Sequence, residues 1–282
     1  MTPSFTLDPR AIQRLVAQAI EEDLGSGDLT AQIIAPSRQA TAEIITREAM
    51  VLCGIPWAKE VFRQIDSNLQ IHWHASDGAE LPAQCLLATL KGAARSLVTA
   101  ERTALNFLQT LSGTATLAHS YATRVKSFKV QLLDTRKTIP GLRHAQKYAV
   151  ACGGLENHRF GLYDAVLIKE NHIAAAGSVA EALQLARNLA SAAPIEIEVE
   201  TLEQLSQALE NGATRILLDN FSLEAIRTAV HNAKGRATLE VSGGVNLENL
   251  TNLAQTGVDF ISIGALTKNV QAIDLSMRLQ LL

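Results

Sequence analysis

The 282-residue chain is predicted to be an α/β protein whose second half forms a barrel-like parallel sheet. Two observations carry this. After Lys129, short apolar strands alternate with helical stretches, the grammar of repeated βα units. The strand ends also fall at regular intervals: from Lys169 to Glu198, Asp219, Ser242 and Gly264 the steps are 29, 21, 23 and 22 residues. Six such units in a row favour barrel-like closure over a doubly wound sheet, although the common β/α barrel has eight.

The elements can be justified in chain order. Met1 to Ile20 reads as an amphipathic helix, not a signal peptide, with Asp8 as cap, Pro9 at the first helical position and Ile12, Leu15, Val16 and Ile20 on one face. Gly25 is its expected stop. Leu29 to Leu90 reads as α+β: strands over Thr41–Thr46, Leu69–Trp73 and Cys85–Leu90, a helix over Pro56–Ile65 and a turn at Asp77-Gly78. One helix is expected over Ala94–Leu111 and another over Thr114–Lys126. The later strands are Val130–Asp134, Ala165–Lys169, Ile195–Val199, Arg215–Asp219, Thr238–Val241 and Phe260–Gly264. Helices are expected over Val179–Ala190, Leu202–Leu209, Leu223–Ala233 and Leu247–Gln255.

Composition excludes several classes. Hydrophobic residues make up 47% and charged residues 19%, an ordinary globular balance. No run of about 18 apolar residues offers a membrane span. Three widely spaced cysteines, Cys53, Cys85 and Cys152, suit reduced thiols in a cytoplasm. No paired-cysteine or His-Glu-x-x-His spacing marks a zinc site. A net charge of −3 and an aromatic content of 4% argue against a nucleic-acid surface. That average hides a split. Arg102 to Leu155 holds eight basic residues and only Asp134 as an acid, a net of +7 that leaves −10 for the rest.

In such barrels the chemistry gathers at the C-terminal strand ends. Alternation puts Glu196, Glu198 and Glu200 on one strand face, either pointing inward or on a solvated edge. Inward carboxylates need cations, metal or ligand hydroxyls. Lys169 closes an apolar strand, as a Schiff-base nucleophile, an anion ligand or half of a structural ion pair. Ser242-Gly243-Gly244 and Gly264-Ala265 are either a phosphate cradle or plain turns. Arg136, Lys137, Arg143, His158 and Arg159 are either a binding set for a small, highly charged anion or a solvated surface. His72, His74, His119, His144 and His231 read as bland, and the cysteines as packing residues.

With these motifs in place the chain resembles the quinolinate phosphoribosyltransferase family almost end to end. The resemblance runs through Glu22-Asp-Leu-Gly25, Glu101-Arg-Thr-Ala-Leu-Asn106, Ser112-Gly-Thr-Ala-Thr116 and Asp134-Thr-Arg-Lys-Thr-Ile-Pro-Gly-Leu-Arg143. It continues in Asn157-His-Arg159, Gly161-Leu-Tyr-Asp164, Leu167-Ile-Lys-Glu-Asn-His172, Leu217-Leu-Asp-Asn-Phe221, Glu240-Val-Ser-Gly-Gly244 and Ile261-Ser-Ile-Gly-Ala-Leu-Thr267. It implies an N-terminal α/β sandwich domain over 1–113 and a six- or seven-stranded α/β barrel over 114–266, the tail from about 267 to 282 being a candidate to pack back on the sandwich. It implies transfer of a phosphoribosyl group from phosphoribosyl diphosphate to quinolinate with decarboxylation, on the way to NAD, in the cytoplasm. It implies Mg²⁺ bound with phosphoribosyl diphosphate, and a homodimer whose active sites are shared between subunits.

Carried over by motif, Arg136, His158, Arg159 and Lys169 line the quinolinate pocket, joined by Arg102 from the partner subunit. Lys137 and Lys169 also meet phosphoribosyl diphosphate. Glu198 and Asp219 hold ribose hydroxyls and Mg²⁺, directly or indirectly. Ser242, Gly243, Gly244, Gly264 and Ala265 cradle the 5′-phosphate. Lys169, Glu198, Asp219 and Lys137 are the expected catalytic set. Two positions depart from the family pattern. Leu155 replaces a third glycine before Asn157, and Lys268, a further expected quinolinate ligand, replaces a histidine. The alternatives are a transferase for nicotinate or another small acid, a Schiff-base lyase built on Lys169, and a non-catalytic anion-binding protein.

Overall fold

The computed structural model describes residues 7–189 and 193–282. Of the helices read from the sequence, residues 1–6 of the first and Ala190 at the end of Val179–Ala190 lie outside the described residues. The chain forms two compact units. The first holds the chain up to His119, Pro140–Gly154 and Asn269–Leu282; the second holds Ser120–Ile139 and Leu155–Lys268.

The first unit opens with α1 (Pro9–Leu24), whose cap is the one expected: the Asp8 carboxylate accepts the Arg10 N–H at 2.9 Å. There follow β1 (Gln39–Thr46), β2 (Met50–Val51), α2 (Ile55–Ile65), β3 (Gln70–Trp73), β4 (Glu80–Leu81), β5 (Leu86–Ala93) and α3 (Ala94–Arg124). Strand β1 turns Ala40, Ala42, Ile44 and Thr46 inward, a strict period of two. Trp57, Ala58, Val61 and Phe62 of α2 are buried in the same core.

The two helices expected over Ala94–Leu111 and Thr114–Lys126 are one helix. Gly113 lies between the two expected spans. Its real task is clearance, because a Cβ there would stand 2.0 Å from the Gln271 carbonyl oxygen. Beside it, the Ser112 hydroxyl accepts the Cys53 N–H at 2.9 Å and donates to the Cys53 carbonyl at 3.1 Å. The expected domain boundary after residue 113 falls inside this helix.

The second unit begins with β6 (Gln131–Leu133). The chain then gives α4 (Arg143–Cys152) to the first unit. Back in the second unit come β7 (Val166–Ile168), α5 (Glu170–Ala176), α6 (Val179–Leu189), β8 (Ile195–Val199), α7 (Leu202–Glu210) and β9 (Arg215–Asp219). The unit ends with α8 (Leu223–Ala233), β10 (Thr238–Ser242), α9 (Leu250–Ala254), β11 (Phe260–Ser262) and α10 (Ala265–Lys268). Its six strands pair in parallel in the order β6-β11-β10-β9-β8-β7, with one further parallel bridge from Leu133 to Glu156.

The tail forms β12 (Leu275–Leu281), which pairs antiparallel with β1 and completes a four-stranded sheet of order β12-β1-β5-β3 in the first unit. Among the described residues no helix is long and apolar enough to cross a membrane.

Strand alternation in the second unit sorts side chains by role. Ile197, Val199, Ile216, Leu218, Leu239, Val241 and Ile261 form one face, all at most 2% exposed. Helices α6, α7 and α8 pack on these strands. The opposite face carries Glu196, Glu198, Arg215, Asp219, Glu240, Ser242 and Ser262. Burying so many polar groups is tolerable only if each is paired or meets a ligand.

Candidate active site

At the C-terminal ends of the parallel strands lies a cavity of about 240 Å³. Thr135, Arg136 and Lys137 reach it from the loop after β6, and His158 and Arg159 from the loop before β7. Lys169, Glu198, Asp219 and Ser242 reach it from the ends of β7 to β10. The sequence-predicted cations and carboxylates therefore meet around one space.

Lys169 is the N-cap residue of α5, its N–H donating to His172 Nδ1 at 2.9 Å. Its Nζ donates to Glu198 Oε2 at 2.7 Å, so the ion-pair option left open in the sequence is realised. Burial pushes the Glu198 carboxyl upward. Lys169 opposes this and the charge of Asp219 adds to it. Asn220 Nδ2 donates to Asp219 Oδ2 at 2.8 Å and fixes that carboxylate at the mouth.

The Arg136 Nε is buried and has no hydrogen-bond partner among the described residues. Arg159 stands near it, and burial followed by the Arg136 charge lowers the Arg159 guanidinium from its usual range. Two crowded guanidinium groups, one with a dry unpaired donor, are arranged to receive an anion. Lys137 is placed by its backbone, its carbonyl accepting the Thr267 hydroxyl at 2.8 Å. A Cβ on Gly264 would come within 3.1 Å of Lys137 Cδ, so that glycine leaves room for the lysine.

The Asn157-His158-Arg159 loop hangs from Asp134, which is fully buried. Asp134 accepts the His158 N–H at 2.9 Å and Asn157 Nδ2 at 2.7 Å. Leu155, at the departure from the family glycine, is a buried side chain, and the chain beside it is pinned by Glu156 N–H to Leu132 O at 3.1 Å. His158 Nε2 meets Glu196 Oε2 at 2.8 Å, while the Arg159 N–H donates to His158 Nδ1 at 2.8 Å. The imidazole is thus held on both nitrogens.

Other expected residues are placed differently. Glu200 lies past the end of β8 and is exposed, its N–H donating to Gln204 Oε1 at 2.7 Å. Only Glu196 and Glu198 of the three glutamates point inward, because the strand stops at Val199. Lys268 ends α10 exposed and does not line the cavity. Arg143 lies in α4 of the first unit. Arg102 also lies in the first unit, exposed on α3, and lines a separate cavity of about 390 Å³ with Asp23, Asp28 and Thr99. In the 242–244 loop, Gly243 adopts φ +98°, and a Cβ there would stand 2.1 Å from Asn220 Oδ1, so the turn alone requires it. Gly244, at φ +59°, faces open space.

Sequence profiles of the quinolinate phosphoribosyl transferase family match nearly the whole chain, the N-terminal domain over residues 28–112 and the C-terminal domain over 114–278. The chain belongs to the quinolinate phosphoribosyltransferase family. Relatives agree. It is 41% identical over 267 residues to a probable nicotinate-nucleotide pyrophosphorylase [carboxylating] of Bacillus subtilis, covering 94% of this chain and 92% of that protein. It is 42% identical over 276 residues to the Mycobacterium leprae nicotinate-nucleotide pyrophosphorylase [carboxylating], covering 95% and 97%. A solved structure of nicotinate-nucleotide pyrophosphorylase from Francisella tularensis superposes with a TM-score of 0.96 at 49% identity, covering 99% of this chain and all of that one.

In this family member two groups had no role assigned from the sequence, Glu240 and Arg215, while Glu196 was among the expected inward carboxylates. Glu196 and Glu240 are buried, Glu240 on the cavity wall, and Arg215 pairs with both. The signal for Glu240 was present: Thr238-Leu-Glu240-Val-Ser242 puts Glu240 on the same face as Ser242. Arg215 stood only as the first residue of an expected strand.

Proposed function

We propose that the chain transfers the 5-phosphoribosyl group of phosphoribosyl diphosphate to quinolinate with loss of CO₂, giving nicotinate mononucleotide and diphosphate in de novo NAD biosynthesis. The observation that carries this is Arg136 Nε, buried and unpaired on a cavity shared with Lys137, His158, Arg159 and Lys169. Both substrates are multiply anionic, and a cationic pocket holds them together against their repulsion. Arg136, Arg159 and His158 are assigned to the pyridine dicarboxylate, and Lys137 and Lys169 to the region where both substrates meet. Ser242, Gly244, Gly264 and Ala265 are assigned to the 5′-phosphate, with Gly243 shaping their turn.

The quinolinate nitrogen attacks the ribose C1 as its bond to the diphosphate oxygen breaks. Positive charge grows at C1 in that step, and the Glu198 and Asp219 carboxylates beside it stabilise it. Lys169 holds Glu198 in place and offsets its charge until the ribose hydroxyls arrive. The ring nitrogen is now cationic. The bond to the 2-carboxylate breaks, its electron pair stays on C2 beside the cationic nitrogen that stabilises it, CO₂ leaves, and a proton then adds to that carbon. No nucleophile on the protein is needed.

The donor set fits Mg²⁺: two oxygen ligands, Glu198 and Asp219, open on one cavity, and that ion takes one or two carboxylates with water and phosphate oxygens. When bound with the diphosphate, it offsets charge on the leaving group. Two copies of the chain are further proposed to pair so that Arg102 of each reaches the cavity of the other. Three free cysteines support a reducing, cytoplasmic setting.

The test is direct. Purified protein with quinolinate, phosphoribosyl diphosphate and Mg²⁺ is expected to form nicotinate mononucleotide. Turnover of nicotinate with none of quinolinate overturns the reading.

A further inference from the structure

A second set of charges lies at the floor of the cavity, which Glu240 itself lines. Glu196 of β8 and Glu240 of β10 are 5% and 0% exposed. Arg215, the first residue of β9, reaches between them. Its Nε donates to Glu196 Oε1 at 3.0 Å and an Nη donates to Glu240 Oε2 at 2.8 Å. Its guanidinium carbon sits 4.4 Å from the centroid of the Phe260 ring on β11. From the cavity side, His158 Nε2 meets Glu196 Oε2 at 2.8 Å and Glu240 Oε1 at 3.4 Å. Glu196 is therefore gripped on one oxygen by Arg215 and on the other by His158, whereas Glu240 is gripped by Arg215 on Oε2 and its Oε1, buried without a hydrogen bond among the described residues, faces the imidazole at 3.4 Å.

Arg215 does not line the cavity. It starts the strand whose far end carries Asp219, about 13 Å further along at the usual strand rise. Its influence on the site can only pass through the two glutamates. Without it, the imidazole would be the one cation in ion-pair contact with two buried carboxylates on strands either side of β9, among the ion pairs described. Their repulsion would push one aside or force a proton onto it, and the ring would follow the carboxylate that remained. With it, both carboxylates are fixed and the ring has one orientation.

We propose that Arg215 is a positioning residue for quinolinate: by clamping Glu196 and Glu240 it sets the place and tilt of the His158 ring on the cavity wall. This rests on the reading of the cavity as the quinolinate site. The groups assigned to phosphoribosyl diphosphate, Lys137, Asp219 and Ser242, make no contact with the clamp among the hydrogen bonds and ion pairs described above. Glu240 shares the cavity lining with those groups, so the clamp's bond to His158 is what ties it to quinolinate.

Arg215→Met and Arg215→Lys separate this from plain structural support. The Met variant is expected to raise the quinolinate KM about tenfold, the effect of losing one charge-assisted hydrogen bond, with the phosphoribosyl diphosphate KM unchanged. The Lys variant keeps the cation but lacks the planar fork that spans both carboxylates. It is expected to raise the quinolinate KM by a smaller factor and to shift the His158 ring ¹⁵N resonances. Both KM values moving together, or neither moving, in a folded Met variant overturns the proposal. If the Met variant does not fold, the Lys variant decides: parental KM values with parental ring resonances overturn it. Failure of the proposed function shows instead as a parent protein inactive on quinolinate, and the ring resonances still test the clamp in that case.

Discussion

At His158 the surroundings pull in opposite directions. Burial disfavours the imidazolium, but Glu196 and Glu240 favour it more and raise it from 6.5 to about 9. The Arg159 N–H opposes them, because it needs the Nδ1 lone pair. A folded-state value above the unfolded one means that the native protein holds this proton more tightly. The stability it contributes is fully present below about pH 6.5 and is lost as pH rises through about 9. The stability gap between the parent and His158→Gln, from urea titrations, is therefore expected to be widest below pH 6.5 and to narrow toward pH 9. A gap that stays constant contradicts this. Glu198 has the reverse economy, since burial makes its ionised form unfavourable in the fold. Glu198→Gln is expected to leave the denaturation midpoint unchanged or higher near neutral pH, while kcat falls about a hundredfold or more through lost stabilisation at C1. A fall in stability with unchanged kcat would make Glu198 a structural residue.

Among the elements, α3 depends on one missing atom. Gly113→Ala, ordinarily favourable in a helix, would drive a Cβ to 2.0 Å from the Gln271 carbonyl oxygen. The expected cost is about 1–3 kcal/mol, the range for overpacking, read as a lower urea midpoint with kcat little changed in the folded fraction. The same glycine shows where the sequence was readable and where it was not. Elements with a clean period were legible to the residue: Ile195–Val199, Arg215–Asp219 and Leu223–Ala233 have the limits expected of them. Helix α4 was missed because it has no apolar stripe. Ala145, Gln146, Lys147, Ala149, Val150, Ala151 and Cys152 are all buried, and Leu142 offers no side-chain cap. The cavity was legible because its side chains close successive strands. The clamp at its floor was not, because pairing Arg215 with two glutamates depends on which strands are neighbours, and sequence order does not show that.

For the whole molecule, the local excess of +7 within a net charge of −3 does not fold into a single patch. Arg136 and Lys137 line the barrel cavity, Lys147 is fully buried in the first unit, and Arg124, Lys126 and Lys129 are exposed without an assigned role. Arg102 belongs to the first unit and lines no part of the barrel cavity, and its proposed use depends on assembly. If each chain lends Arg102 to its partner, two inactive variants complement each other. In a dimer of one Arg102→Ala chain and one Lys169→Ala chain, the first chain keeps an intact Lys169 and receives Arg102 from the second. That site is whole, and the other site lacks both residues. Purified mixed dimer should therefore show about half of the parental activity, and an equal random mixture, in which half the dimers are mixed, about a quarter. If Arg102 served its own chain, every site in the mixed dimer would lack one residue and no activity would return. Co-expression of the two variants with separate affinity tags, followed by assay of the doubly tagged fraction, distinguishes these outcomes.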